Sequence, residues 1–149
     1  GKGRVEECRE LAQAAIQDGS ALERLIAMVE AQGGDASVIR DTDLFEKAPY
    51  EQALTAEKSG YITAMDTEGC GIASSMLGAG RETKESSIDY TAGIRIKSKV
   101  GDYVEKGQII GLMYASDEKL FAAARKRYLE AVTIGDSKPP QQPLIYATV

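Results

Sequence analysis

Hydrophobic positions in the first 34 residues recur at the spacing of two amphipathic helices. Between residues 5 and 17 an apolar side chain appears every three or four positions, and Gly19 stops the run. A second run begins at Ser20-Ala-Leu-Glu23, which has the form of a capping box, and ends at Gly33-Gly34. The pattern predicts a helical hairpin over residues 1–34, which is too short to bury a core by itself. The apolar positions of its second helix are Leu22, Leu25, Ile26 and Val29.

The period of the apolar positions changes after residue 50. Residues 35–50 follow neither the helical nor the strand period, and Pro49 disfavours a continuing helix, so this segment is predicted to be a linker. The stretches QALTA and GYITAMD beyond it carry β-branched and aromatic residues and predict two strands. Residues 66–78, DTEGCGIASSMLG, predict a short helix that is capped by Asp66 or Thr67 and ended by Gly78.

The remainder of the chain predicts a meander followed by one more helix. In AGIRIKSKVGDYVEKGQIIGLMYA, alternating apolar residues indicate short strands, with turns at Gly101-Asp102 and Lys106-Gly107. Ser116 is a candidate cap for a helix whose apolar face runs as far as Val132. Prolines then precede LIYATV, which predicts a closing strand. Because helices and strands mix without a regular βαβ order, the predicted fold class is α+β.

Composition and charge narrow the class of function. Of the 149 residues, 43% are hydrophobic and 28% are charged, which is typical of a globular domain. The formal net charge of −5 argues against a nucleic-acid partner, and no apolar run approaches the ~20 residues of a membrane span. Since the chain contains no histidine, it cannot supply a Ser-His-Asp triad or a histidine metal ligand. Cys8 and Cys70 lie far apart and suit reduced thiols in the cytoplasm.

Two glycine-rich stretches raise the question of a phosphate-binding loop. Gly69-Cys-Gly71 follows a predicted strand, as in a dinucleotide-binding turn, but Ser74 replaces the third glycine of that motif. The alternative is a tight strand-to-helix junction in which the two glycines allow close packing. Gly78-Ala79-Gly80-Arg81 lies at the predicted end of a helix, where the dipole repels anions. Gly78 is therefore predicted to end the helix in a left-handed conformation rather than to hold a phosphate.

The meander also has the G-D-x-V-x-x-G-Q-x-I rhythm of biotinyl and lipoyl carrier domains. Such a carrier needs a lysine at the tip of the next hairpin. The comparable stretch is LMYASDEK, in which Ser116-Asp117 has the form of a helix cap and Lys119 falls in the first turn of the predicted helix. The alternative function is therefore a non-catalytic hammerhead carrier or binding module that lacks the carrier lysine.

Three stretches, in this order and spacing, resemble the C-terminal portion of the pyrimidine-nucleoside phosphorylases, relatives of the thymidine phosphorylases. They are MVEAQGGD at 28–35, SGYITAMDTEGCGIASSMLGAGRETKESSIDYTAGI at 59–94 and VGDYVEKGQIIGLMYA at 100–115. The pieces LGAGR and IDYTAGI are the most specific part. The resemblance covers essentially the whole chain.

The resemblance implies both an architecture and a set of partners. The family forms homodimers, and each subunit has a small helical domain and a large α/β domain separated by a cleft. Residues 1–34 would be the last helices of the large domain, residues 35–50 a linker, and residues 51–149 a separate C-terminal α/β-hammerhead domain. The expected partner is the rest of the chain's own polypeptide, in the cytoplasm, with neither nucleic acid nor membrane.

The implied reaction of the parent enzyme is reversible phosphorolysis, in which a pyrimidine nucleoside and phosphate give the free base and a (deoxy)ribose 1-phosphate. Phosphate would be the co-substrate, no organic cofactor is implied, and the family's monovalent cation would bind groups upstream of this chain. Since no segment here matches the family's phosphate- and base-binding motifs, the chain is expected to be an inactive C-terminal fragment. It would hold no catalytic residue and no metal ligand.

One segment remains as a candidate ligand contact. In the family the stretch that follows LGAGR lies on the cleft side of the C-terminal domain. Residues 81–87 are charged or hydroxylated and have no apolar anchor before Ile88, which predicts a mobile flap. Gly80, Arg81 and Lys84 are its candidate site residues, and the two cations would order around a bound ligand.

Overall fold

A computed structural model of the chain describes residues 3–81, 83–84, 86–141 and 143. The chain divides into two compact units, with the division between residues 46 and 47. Among the described residues, no helix is both long enough and apolar enough to cross a bilayer.

The first unit is helical. It contains α1 (Val5–Gln17), α2 (Ser20–Ala31), a short α3 (Ser37–Arg40) and a 3₁₀ turn at Thr42–Leu44. The two helices that the apolar period predicts are thus confirmed, and they pack against each other. Ile26 is buried within this unit, whereas Leu22 and Leu25 remain more than two-fifths exposed. The unit buries only a small part of its apolar surface.

One local prediction in the first unit is wrong. Ser20 does not cap α2, because the connection from α1 is so short that Gly19, with φ of 82°, takes the cap position. Ser20 becomes the first helical residue, and its hydroxyl donates to the carbonyl of Ala15 instead, at 3.4 Å. Within residues 35–50 the Asp35 carboxylate accepts a hydrogen bond from the Ser37 N–H at 2.8 Å, and the short α3 begins there. The role of residues 35–50 as a linker stays a prediction.

The second unit mixes short strands with two helices. In chain order the elements are β1 (Tyr50–Thr55), β2 (Gly60–Met65), α4 (Thr67–Ser74), a π-helical turn (Ser75–Ala79), β3 (Gly93–Ile96), β4 (Tyr103–Val104), β5 (Ile109–Ala115), a 3₁₀ turn (Glu118–Leu120), α5 (Phe121–Ala131) and β6 (Val132–Gly135). The described strands form two three-stranded antiparallel sheets, in the orders β1-β5-β3 and β4-β2-β6. The α+β prediction is confirmed, and the hammerhead arrangement stays a prediction.

The core of the second unit lies where α4 and α5 meet the strands. Its most completely buried large side chains are Leu54, Ile62, Leu77, Val104, Ile110, Met113 and Tyr128. The α4–α5 contact depends on Gly69, because a Cβ added there would lie 2.8 Å from the Cβ of Ala131. The predicted close packing is therefore confirmed for Gly69. A Cβ on Gly71 would meet nothing within 4 Å.

Three further details of the second unit differ from the sequence predictions. Asp66 does occupy the cap position of α4, but its carboxylate makes no cap hydrogen bond and lies 3.6 Å from the Arg127 guanidinium. Asp117, not Ser116, caps the turn that leads into α5, since its carboxylate accepts the Lys119 N–H at 2.9 Å. Val132 belongs to β6 and not to the final helix. The predicted closing strand, residues 144–149, lies outside the described residues.

Candidate functional site

The glycine-rich end of α4 is a left-handed turn. Gly78 has φ of 105° and ψ of −4°, which confirms the predicted left-handed conformation. The helix closes through the π-helical turn, which the sequence does not predict. Gly80 is also needed as glycine, because a Cβ there would lie 2.9 Å from the Cβ of Ser75. The chain therefore leaves the C-terminal end of the helix through a turn that a side chain at Gly78 or Gly80 would obstruct.

A group of hydrogen bonds lies where this turn meets β3 and β5, and we call it the Asp89 clasp (Gly78, Asp89, Thr91 and Ser116). The Asp89 N–H donates to the Gly78 carbonyl at 2.9 Å. One carboxylate oxygen of Asp89 accepts the N–H and the hydroxyl of Thr91, at 2.9 and 2.7 Å. The other accepts the hydroxyl of Ser116 at 2.6 Å. These bonds lower the pKa of Asp89 below its ordinary value, and the largest cause is the hydrogen bond from Ser116, followed by that from the Thr91 hydroxyl. The clasp carboxylate is therefore ionised at neutral pH.

The three predicted site residues lie between the two ends of the clasp. Gly80 is half-buried, whereas Arg81 and Lys84 are exposed. Thr83 and Ser86 bracket Lys84 through a local turn, in which the Ser86 N–H donates to the Thr83 carbonyl at 3.2 Å. Residues 82 and 85 of the predicted flap lie outside the described residues. The two cations thus share one segment, and their role as ligand contacts stays a prediction.

Asp89 and Ser116 are the polar pair that the sequence analysis does not identify. They lie 27 residues apart, and Ser116 is there assigned to a helix cap. The only local signal is the Asp89-Tyr90-Thr91 stretch, because an aspartate that precedes a threonine by two positions commonly bonds to the N–H of that residue. Nothing in the local sequence identifies the partner on β5.

Elsewhere two ionisable side chains at the core have shifted pKa values. Among the described residues, no group of three or more His, Cys, Asp or Glu side chains is placed so that it could hold a metal ion. Burial raises the pKa of the Cys70 thiol, and the nearby Asp66 raises it further, so this cysteine is not an activated thiolate. The Tyr128 hydroxyl is buried and has no hydrogen-bond partner among the described residues, and burial raises its pKa to about 12. It is a core residue.

The class of protein follows from comparison with known families. Residues 61–135 match the family described as "Pyrimidine nucleoside phosphorylase C-terminal domain". The match begins in β2 and ends in β6. It includes the glycine turn and every residue of the Asp89 clasp. It covers about half of the chain, so the chain belongs to the pyrimidine-nucleoside phosphorylase family as its C-terminal domain.

Particular relatives extend this similarity beyond the matched domain. The chain is 40% identical over 143 residues to a pyrimidine-nucleoside phosphorylase of Geobacillus stearothermophilus, which covers 95% of this chain and 33% of the relative. It is 39% identical to the enzyme of the same name from Staphylococcus haemolyticus (strain JCSC1435), over 82% of this chain and 28% of the relative. A third such protein, from Staphylococcus aureus (strain USA300), is 38% identical over 89% of this chain and 30% of the relative.

The chain spans about a third of the length of the curated relatives it matches. The family predicted from LGAGR and IDYTAGI is confirmed. The alternative of a biotinyl or lipoyl carrier is not supported, and Lys119 lies in the 3₁₀ turn Glu118–Leu120 with its own N–H bound to the Asp117 carboxylate.

Proposed function

We propose that the whole protein to which this chain belongs is a pentosyltransferase that carries out the reversible phosphorolysis of pyrimidine nucleosides. In this reaction the pentosyl group passes from the base to phosphate. The observation that carries the proposal is the 40% identity, over 95% of the chain, to a relative named pyrimidine-nucleoside phosphorylase. As the glycosidic bond breaks, most of the catalysis in such a reaction comes from positioning and from electrostatic stabilisation. Phosphate is the co-substrate, with no organic cofactor, and the monovalent cation binds outside this chain.

The contribution of this chain is structural rather than catalytic. Its described residues gather no group of His, Cys, Asp or Glu side chains that could hold a metal ion, and the whole chain has no histidine. We therefore expect the isolated 149-residue chain to show no phosphorolysis of uridine or thymidine, and the full-length protein to release free base when phosphate is supplied. The measurement is base release by chromatography. Turnover by the isolated chain that survives repurification would contradict the structural role, and a full-length protein without turnover would contradict the proposed reaction.

The first unit supplies the contact with the rest of the polypeptide. Its exposed apolar side chains are Val5, Leu11, Ile16, Leu22, Leu25, Met28, Leu44 and Phe45. So many exposed apolar side chains on a small helical unit indicate a face that another part of the protein covers. The relatives are about three times as long as this chain, so the whole protein has further chain that could cover it. The proposed cover is the preceding part of the same polypeptide, within a cytoplasmic homodimer.

Hydrogen exchange tests this contact. In the isolated chain, α1 and α2 should exchange faster than α4 and α5, because few of their residues are buried. In the full-length protein, protection of α1 and α2 should rise towards that of α5. Equal protection of all four helices in the isolated chain at low concentration would contradict the proposal, and light scattering on the same samples reports whether self-association covers the face.

Arg81 and Lys84 form the proposed ligand contact. Both side chains are exposed, and a positive charge attracts an anionic ligand. In the full-length enzyme Arg81→Ala should raise KM or slow turnover while the melting temperature stays unchanged. Arg125→Ala, which removes an exposed arginine from α5, is the matched control. A lower melting temperature with unchanged kinetics would assign Arg81 a purely structural role.

A further inference from the structure

The turn that joins α1 to α2 contains an aspartate followed directly by a glycine, Asp18-Gly19. The chain has no asparagine, and each of its other aspartates precedes a residue larger than glycine. This order matters chemically because the backbone nitrogen that follows an aspartate can attack the side-chain carboxyl carbon, and a glycine has no Cβ to hinder the attack. The sequence therefore offers Asp18-Gly19 as its most reactive aspartyl bond.

The reaction at such a bond is an isomerisation that needs only water. The Gly19 nitrogen attacks Cγ of the protonated Asp18 carboxyl group, a C–N bond forms, and the nitrogen's proton leaves with the carboxyl hydroxyl as water. The product is a five-membered cyclic imide. Water then adds to one of the two ring carbonyls and the C–N bond at that carbon breaks. When the bond to the backbone carbonyl carbon breaks, the chain runs through Cβ and Cγ, and the residue is isoaspartate of unchanged mass.

The turn leaves this bond open to solvent. The Asp18 side chain is exposed, and a Cβ added to Gly19 would meet nothing within 4 Å. Water therefore reaches the carboxyl group, and there is room for the ring beside it.

The folded turn nevertheless keeps the reacting atoms apart. Asp18 has ψ of −5°, which nearly eclipses the Gly19 nitrogen with the nitrogen of Asp18 itself. A nearly flat five-membered ring needs the Gly19 nitrogen to eclipse Cβ instead, so the Cα–C bond must rotate before the ring can close. One carboxylate oxygen of Asp18 also accepts the Ser20 N–H at 2.8 Å, and this bond is the largest cause that lowers the pKa of Asp18. The carboxylate is thus ionised at neutral pH and has no hydroxyl to lose.

Asp35 provides a matched comparison within the same unit. Its carboxylate accepts the N–H of Ser37 at 2.8 Å, as that of Asp18 accepts the N–H of Ser20, and both aspartates are exposed. The same kind of hydrogen bond is also the largest cause that lowers the pKa of Asp35. The residue that follows is alanine rather than glycine. The pair therefore separates the effect of the following residue from the effect of the hydrogen-bonded turn.

The turn at Asp18 depends on the packing of two helices that bury little. Its backbone bonds run from the Asp18 N–H to the Ala14 carbonyl, at 2.9 Å, and from the Glu23 N–H to the Gly19 carbonyl, at 3.0 Å. Ile26 is the buried residue of α2, and α1 has none. A unit with so little buried apolar surface opens at a low cost in free energy, and each opening frees Asp18 to rotate.

We propose that Asp18-Gly19 is a modification site, at which Asp18 converts to isoaspartate when α1 and α2 separate. The packing of the two helices gates the reaction. The product carries Cβ within the backbone, so the lengthened turn no longer aligns α2 with α1. It also carries a free α-carboxylate, the group that isoaspartyl methyltransferases methylate with S-adenosylmethionine. The modified chain is therefore a substrate for that class of enzyme.

The test uses the whole 149-residue chain, incubated at neutral pH and physiological temperature. Trypsin then releases residues 10–24, which contain Asp18, and residues 25–40, which contain Asp35, because an arginine ends each segment. The aspartyl and isoaspartyl forms have equal mass and separate by reversed-phase chromatography. Methyl transfer from S-adenosylmethionine by an isoaspartyl methyltransferase identifies the isoaspartyl form. A synthetic peptide of residues 10–24 gives the rate without the gate, because so short a helix is marginal in water.

The expected result is isoaspartate at Asp18, formed at least about tenfold more slowly in the folded chain than in the peptide. Ile26→Ala should raise the rate at Asp18 about fivefold or more, because loss of the buried contact lowers the cost of opening. Leu11→Ala, at a position 57% exposed, is the matched control and should leave the rate unchanged. If Ile26→Ala unfolds the first unit, as circular dichroism would report, the rate should equal that of the peptide.

Two further variants test the chemistry of the site. Asp18→Glu should abolish the isomer in residues 10–24, because a glutamate would have to close a six-membered ring. In a synthetic peptide of residues 25–40, Ala36→Gly should make Asp35 about as reactive as Asp18 is in its own peptide, because the hindering Cβ is removed.

Three outcomes would overturn the inference. Equal rates in the folded chain and in the peptide would mean that the turn does not protect Asp18. Equal rates in Ile26→Ala and Leu11→Ala would mean that the packing of α1 and α2 is not the gate. Isoaspartate at Asp35 as fast as at Asp18 would mean that the following glycine does not select the site.

Discussion

The helices α1 and α5 have similar sequence signals and opposite surroundings. Both show an apolar face at helical spacing, over 13 and 11 residues. None of the residues of α1 is buried, and Val5, Leu11 and Ile16 are 70%, 57% and 75% exposed. In α5, Phe121, Ala124, Tyr128 and Ala131 are buried. The comparison shows that an amphipathic pattern predicts the helix and the face it will bury, but not whether the partner of that face belongs to the same stretch of chain.

The difference extends to the two units as wholes. In the first, Ile26 and Ala36 are the buried apolar residues among those described, whereas the second has a continuous core around Leu54, Met113 and Tyr128. Since burial of apolar surface is the main favourable term in folding, the second unit should carry most of the stability of the isolated chain. The predictions that follow test that division, from the largest expected effect to the smallest.

The largest effect should come from one substitution placed in each unit. Leu54→Ala, at a fully buried position, should lower the free energy of unfolding by about 2–5 kcal/mol, because it loses contacts and leaves a cavity. Leu11→Ala, at a position 57% exposed, should change it by no more than about 0.5 kcal/mol. Urea denaturation followed by tyrosine fluorescence reports on the second unit alone, because all seven tyrosines lie beyond residue 46. An equal shift in both variants would show that the two units unfold as one.

A glycine pair in α4 measures how tightly the second unit is packed. Gly69→Ala should destabilise it by about 1–3 kcal/mol, because the new methyl group overlaps the Ala131 side chain on α5. Gly71→Ala is the control in the same helix, and it should stabilise by up to about 1 kcal/mol, since the methyl group meets open space and alanine favours the helix. The same denaturation experiment measures both. A neutral Gly69→Ala would mean that α4 and α5 can separate at little cost.

The buried Tyr128 hydroxyl provides a smaller test of the same core. Tyr128→Phe should raise the free energy of unfolding by about 1 kcal/mol, because an unpaired hydroxyl is removed from an apolar site. The raised pKa also gives an alkaline signature. As pH rises above the ordinary value of 10, the unfolded chain ionises first, so the parent loses stability between pH 10 and the folded pKa of about 12.

The loss of stability at alkaline pH should be weaker in Tyr128→Phe than in the parent, as measured by denaturation midpoints at several alkaline pH values. Tyr103→Phe, at an exposed tyrosine, is the matched control and should keep the alkaline loss of the parent. A variant less stable than the parent at neutral pH would show that the hydroxyl is hydrogen-bonded, for which a buried water is the simplest donor.

The smallest expected effect is a change in the free energy of unfolding at acid pH. The pKa of Asp89 is below its ordinary value of 3.8, so the stability that its ionised form contributes is fully present above that value. It is lost as pH falls from there through the folded pKa. Asp89→Ala should therefore be slightly less stable than the parent at neutral pH and should converge with it in acid. A constant difference at every pH would show that the carboxylate charge contributes nothing to the clasp.

The sequence by itself determines the elements whose signals are local. The helices α1 and α2, the strands β1 and β2, and the left-handed turn at Gly78 all follow from interactions within about one turn of helix or a few strand residues. The family follows from residue order alone, because LGAGR and IDYTAGI carry it whatever the fold around them. Local spacing also predicts close packing at Gly69 and Gly71, which the structure confirms for Gly69 alone.

Only the tertiary structure decides which distant groups complete those elements. The apolar period of α5 continues to Val132, yet the chain turns into β6, because Val132 pairs with Met65 of β2 and gains backbone partners there. Ser116 has the form of a cap, yet Asp117 takes that role and Ser116 binds Asp89 instead. Ser20 likewise loses its cap role to Gly19 in a tight interhelical turn. The physical reason is common to all three. A short polar side chain or an unpaired strand backbone forms its hydrogen bonds with the nearest partner in space, and the packing of the whole core decides which partner is nearest.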